Sequence, residues 1–240
     1  MPTQLSQVPE ALQSDFDIVG DSGFFADPQQ LFLDSLVKDP RDIVYTPHNG
    51  GHWLITSHEL AREVLSNAEL FGSFPIGIPA NMEQRPRLIP LESDANEHRR
   101  YRRLLLPIFE PKAVARLQTG AEALASEVLD EVLPTGKFDF LWKAAKPISM
   151  GLFVRQLGLE PERLDEFYAW ETGFYRAPTM EERIDCGEKI GGYLFEVVTQ
   201  HVDNPKDDIV DMLLNVDVEG EKLSLEEVHA ICYLLFLASI

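Results

Sequence analysis

Cysteine is almost missing from this sequence: Cys186 and Cys232 are the only two among 240 residues. Two thiols cannot build a disulfide framework, and with no C-x-x-C pair or Cys/His cluster the usual zinc spacings are absent. His48, His52, His58, His201 and His229 show no metal-ligand spacing and receive no role. A reducing cytosol suits so few cysteines. Positive charge is scarce as well, with 21 Lys and Arg against 40 Asp and Glu and a formal net charge of −19. Nucleic-acid binding wants a basic footprint, so this balance argues against it, and the acid excess serves solubility. Long apolar runs are lacking too. The longest, AICYLLFLASI at 230–240, is too short to cross a bilayer. Residues 1–17 have neither a basic start nor an apolar stretch, so no signal peptide is expected. No repeat, low-complexity tract or linker divides the chain, and one cytoplasmic domain over 1–240 is the expectation.

What is present suffices for a core. The hydrophobic fraction is 45% and the aromatic fraction 10%, a globular composition. After an irregular arm, residues 27–39 open with Asp27 as N-cap and Pro28 at the first helical position, and Leu31, Phe32, Leu36 and Val37 follow at helical spacing. DIVYT and HWLIT, separated by PHNGG, read as a small hairpin with a loop. A short capped helix over 57–67 comes next. Residues 72–96 carry Pro75, Pro79, Pro86 and Pro90 and no helical period, so they read as a long loop. Its apolar residues, Phe74, Ile76, Ile78, Met82, Leu88 and Ile89, favour packing over disorder. Beyond it the spacing predicts helices over 97–106, 111–133, 141–157, 161–175, 181–202, 207–214 and 224–240, with prolines as punctuation and a short hairpin over 216–224. The fold class is mainly α with a small N-terminal β-sheet.

One stretch runs against the overall charge. EHRRYRRLL places Arg99, Arg100, Arg102 and Arg103 within five residues. On a helix from Glu97, His98 and Arg102 share a face, while Arg99 and Arg103 form a second row about 100° around. One row can face a bound anion, because a guanidinium is a planar, permanently charged donor suited to a carboxylate. The plain alternative is a solvated helix whose arginines pair with nearby acids.

The context of these residues resembles the C-helix region of bacterial cytochromes P450. Glu97, His98 and Arg102 are followed by Arg103-Leu104-Leu105 and by Pro107-Ile108-Phe109-Glu110-Pro111, with Ala95-Asn96 where the family usually has paired prolines. VPEALQSDFD and NGGHWLIT are similar to the N-terminal arm and first strands of the camphor-hydroxylase-like branch. The stretch from DDIVDMLL to LASI is similar to the H helix, a hairpin and the start of the long I helix. The resemblance implies that His98 and Arg102 bind a haem propionate. It implies a ferredoxin-type electron donor, with Arg99, Arg100 and Arg103 as candidates for the surface that meets it. It also implies a small apolar substrate, of terpenoid kind, together with O2. The substrate pocket would draw on Phe74, Ile76, Leu88, Ile89, Phe174, Leu237 and Ala238, with Ile78 and Tyr175 nearby. No Tyr lies between Phe74 and His98, so that loop offers no phenolic donor.

The family pattern is incomplete here. Ala238 and Ser239 stand where the I helix carries its Ala-Gly, and the acid and Thr would follow Ile240. Neither cysteine fits the haem-ligand loop, since Glu182 and Val228 occupy the position four residues earlier where glycine is expected. The expectation is therefore the N-terminal part of a P450 domain, ending within the I helix and lacking the thiolate that oxygen activation needs. Such a chain should be inactive alone. A haem-free helical interaction protein is the alternative, and against it stands the expectation that the apolar final helix would lack partners.

Overall fold

The computed structural model describes residues 5–21, 23–79, 85–217 and 220–239. The chain forms two compact units, Met1–Met82 and Glu83–Ile240.

In the first unit, two strands follow two short helices, α1 (Gly23–Ala26) and α2 (Pro28–Phe32). Asp27 caps α2 by accepting the Gln30 amide at 2.9 Å. The helix expected over 27–39 is split: α2 gives way to a wide π-type turn, Leu33–Val37. Strands β1 (Ile43–Thr46) and β2 (His52–Ile55) pair antiparallel, with Ile43 opposite Ile55 and Thr46 opposite His52. The connection needs three left-handed residues in a row, Asn49, Gly50 and Gly51, at φ 55°, 88° and 77°. That is why Asn-Gly-Gly stands there. The arm is tied to β1: Thr46 Oγ1 donates to the Phe16 carbonyl at 2.7 Å, and Arg41 donates to the carbonyls of Ala11 and Gln13 at 3.0 and 2.9 Å. Phe16, Leu36 and Val44 form the small core. Helix α3 (His58–Ser66) closes the regular part, capped by Ser57.

The second unit is helical among its described residues: α4 (Ala95–Leu105), α5 (Pro111–Val132), α6 (Lys146–Gln156), α7 (Leu164–Arg176), α8 (Met180–Asp203), α9 (Ile209–Asn215) and α10 (Leu225–Ala238). The helix expected over 141–157 begins as a π-type turn, Leu141–Ala145. Pro147 lacks the N–H that an unbroken α-helix would bond to the Lys143 carbonyl, which is where a wider turn becomes favourable. Helices α8 and α10 start with capping boxes, Thr179 with Glu182 and Ser224 with Glu227. The final helix finds its partners within the chain, against the sequence expectation. Val228, Cys232, Tyr233 and Phe236 are wholly buried in a core shared with Phe167, Ile190, Leu194 and Leu213. Val218 and Glu219 of the expected hairpin, Met82 and Ile240 lie outside the described residues. Among the described residues, no helix is long and apolar enough to cross a membrane.

Helix α6 ends in a Schellman motif: the Leu159 amide bonds back to the Val154 carbonyl at 2.9 Å and Gly158 sits at φ 60°. A Cβ on Gly158 would lie 2.0 Å from Asp208 Oδ2. Gly158→Ala is expected to cost about 1–2 kcal/mol in left-handed strain alone, with the clash added. Urea unfolding tests this, and a loss below that range would mean the turn rearranges freely.

Candidate functional site

The candidate site is α4, and its charge is divided between its faces. Four carboxylates organise the stretch around it. Glu92 is wholly buried and accepts both Arg85 terminal nitrogens, at 2.8 and 2.6 Å, and the Leu88 amide at 2.8 Å. Glu97, in the first turn, is held by a two-pronged contact from Arg87 at 2.8 and 2.7 Å. The loop before α4 is thus pinned by two arginine–carboxylate pairs, although its sequence has no regular period.

Glu221 and Glu227 arrive from more than a hundred residues away. Arg100 donates to Glu227 Oε1 at 2.7 Å and to the Lys222 carbonyl at 2.8 Å, with Glu221 at 3.8 Å. Arg103 donates to Glu221 at 2.5 Å. Tyr101 Oη donates to Glu227 Oε1 at 2.8 Å, and burial pushes its own pKa up to about 12. Arg99 donates to Asn96 on its own helix. Tyr101, Leu104 and Leu105 face the core.

His98 and Arg102 differ from these neighbours. Both are exposed, one turn apart, and neither side chain has a hydrogen-bond or ion-pair partner among the described residues. The crowding of like charge is therefore relieved for Arg100 and Arg103 by acids of the chain and left open at Arg102.

Glu227 serves three contacts at once: it accepts from Arg100, Tyr101 and the Ser224 amide. Burial alone would raise its pKa, but these hydrogen bonds outweigh burial and hold it below the ordinary 4.5. A carboxylate with a depressed folded pKa contributes stability that is complete above 4.5 and disappears as pH falls through the folded value. Melting temperature is accordingly expected to drop more steeply below pH 4.5 in the wild type than in Glu227→Gln. Parallel pH profiles would show that Glu227 keeps no such shift.

The other sequence candidates fall in different places. Leu88, Ile89 and Leu237 belong to the buried core of the second unit. Phe174 is half-buried with its ring 5.1 Å from Tyr175, and Ala238 is exposed. Phe74, Ile76 and Ile78 are exposed in the first unit. Neither cysteine offers a thiolate. Cys232 is wholly buried, which pushes its thiol up to about 12, and burial raises Cys186 as well. The donor set of α4 fits a carboxylate of a haem, while the cysteines of this chain do not fit its iron.

This order of helices behind an N-terminal hairpin is the fold of the N-terminal portion of a cytochrome P450. The crystal structure of CYP101J2 superposes with a TM-score of 0.76 at 27% identity, covering 99% of this chain and 59% of that one. That of CYP101C1 gives 0.78 at 22% identity over the same shares. Among curated proteins, the steroid C26-monooxygenase of Mycolicibacterium smegmatis is 26% identical over 189 residues, 74% of this chain and 44% of the relative. Cytochrome P450 107B1 of Saccharopolyspora erythraea is 24% identical over 234 residues, 92% of this chain and 58% of the relative. No family model matches. The chain is a relative of the bacterial cytochromes P450, and it spans about half the length of the curated relatives it matches.

Proposed function

We propose that this chain is the N-terminal part of a single haem-thiolate monooxygenase domain, which inserts one oxygen atom of O2 into a small apolar substrate. The observation that supports it is the open pair on α4. His98 and Arg102 stand exposed and unpartnered among the described residues, while Arg100 and Arg103 beside them are engaged by acids. In this reading the two side chains hold one propionate of the haem, Arg102 through its guanidinium fork and His98 through a ring N–H. The haem supplies dioxygen activation when bound. Its iron ligand would come from a residue other than Cys186 or Cys232, since burial raises the pKa of both thiols. Tyr101 and Arg100, fastened to Glu227, fix the rotation of α4 so that the open pair keeps its direction.

Electrons would come from a ferredoxin-type donor. Arg100 is committed to Glu227, so Arg99 and Arg103 are the arginines of this row best placed to meet it. Exposed pairs such as Arg103–Glu221 are worth little and exchange readily. An apolar substrate of terpenoid or steroid kind is supported by the branch resemblance and by the name of the C26-monooxygenase relatives. The alternative, a haem-free interaction protein, gains one observation, namely the burial of α10 within the chain. Haem content decides between them. The full-length protein should purify with one haem and place one atom of labelled O2 in its product. A folded full-length protein with no haem affinity would overturn the proposal.

A further inference from the structure

The α8–α9 connection gathers three ligand-type side chains that the sequence spacing did not reveal. One donor atom each of His201, Asp208 and Asp211 lies within 4.8 Å of the other two. His201 Nδ1 is 2.7 Å from the Val197 carbonyl one turn back, a contact that calls for the N–H on that nitrogen. The neutral ring then presents its Nε2 lone pair to Asp208 Oδ2, 2.8 Å away. Two lone-pair atoms at that distance repel unless a positive charge, a proton or a metal ion, lies against them. The neighbouring carboxylate makes a second, separate demand. Asp211 is 7% exposed, and while its Oδ2 accepts the amides of Lys206 and Asp207, its Oδ1 is buried with no partner. An unsatisfied buried carboxylate oxygen is costly.

We propose that His201, Asp208 and Asp211 form a site for one divalent transition-metal ion that clasps α8 to α9. An imidazole whose other nitrogen is fixed by a backbone carbonyl is the usual form of a ligating histidine. One nitrogen and two carboxylate oxygens suit zinc and its neighbours better than they suit calcium, which wants more oxygens. Asp208 also lines a cleft of about 390 Å³ together with Asp207 and Met212, so one member of the cluster borders open space. The site shares no residue with α4 and does not depend on the haem reading.

The test is a Zn2+ titration of the full-length protein by calorimetry, with melting temperature as a parallel readout and Mg2+ as a control. One Zn2+ per chain with a raised melting temperature is expected. Asp211→Asn and His201→Gln should each weaken binding at least about tenfold. X-ray absorption of the zinc-loaded wild type should show one imidazole nitrogen with carboxylate oxygens at about 2.0–2.2 Å. That measurement decides the matter even where a variant fails to fold. No saturable binding would overturn the proposal and leave a proton and an ordered water to close the cluster. Zinc that binds both variants equally, or shows more than one imidazole, would overturn it as well.

Discussion

Glu92→Ala is expected to lower the unfolding free energy by about 3–5 kcal/mol, the usual cost of stripping one partner from a buried ion pair. The side chains of Glu92 and Arg85 are 0% and 9% exposed, so neither charge is hydrated well enough to stand alone. Removing the carboxylate leaves a guanidinium buried with, among the described residues, only the Pro86 carbonyl at 3.0 Å, and it also frees the Leu88 amide. Replacing both partners together, Arg85→Met with Glu92→Leu, is expected to recover most of the loss, because well-packed apolar groups do not carry the desolvation cost. Urea unfolding of the single and double variants checks both statements. A single-variant loss under about 1 kcal/mol would show that Arg85 escapes to water, where exposed pairs count for little.

Arg102→Ala should leave the haem-free protein as stable as before, since its side chain is exposed and makes no hydrogen bond or ion pair among the described residues. Haem retention should suffer instead. A charge-assisted bond contributes about 1.5–3 kcal/mol, which corresponds to haem dissociating about ten to a hundred times more readily. Arg102→Lys should fall between, keeping the charge without the planar fork. Arg99→Ala should match the wild type. Haem transfer to an excess of a competing apoprotein measures all three, with circular dichroism as a check on folding. If Arg102→Ala retained haem like the wild type, α4 would not be the propionate site.

These expectations draw unequally on sequence and structure. The helices from α5 onward were legible because prolines such as Pro111 and Pro161 punctuate strong apolar periods. The hairpin was legible from Asn-Gly-Gly between alternating runs. The π-type turns were not, because propensity and period give nearly the same signal for α and π geometry. The loop over 85–94 was opaque for another reason: arginine and glutamate pairs hold it, and such pairs have no period. The charge on α4 and its two rows were visible, but the acids that engage Arg100 and Arg103 were not. Glu221 and Glu227 lie 118 and 127 residues from the arginines they bind, and only tertiary packing brings them there. The same holds for His201, Asp208 and Asp211, whose meeting depends on the angle between two helices.

The division of charge on α4 also has a kinetic side. An anionic ligand far from this chain meets the field of 19 excess negative charges. Arg100 and Arg103 add little at that range, because Glu221 and Glu227 cancel them locally. Arg102 acts only within about one Debye length, roughly 8 Å at physiological ionic strength. Long-range attraction by a whole face, the usual origin of fast encounter, is thus replaced by a small island of opposite sign. Moderate salt then works in favour of encounter, since it screens the distant repulsion before it loosens the contact itself.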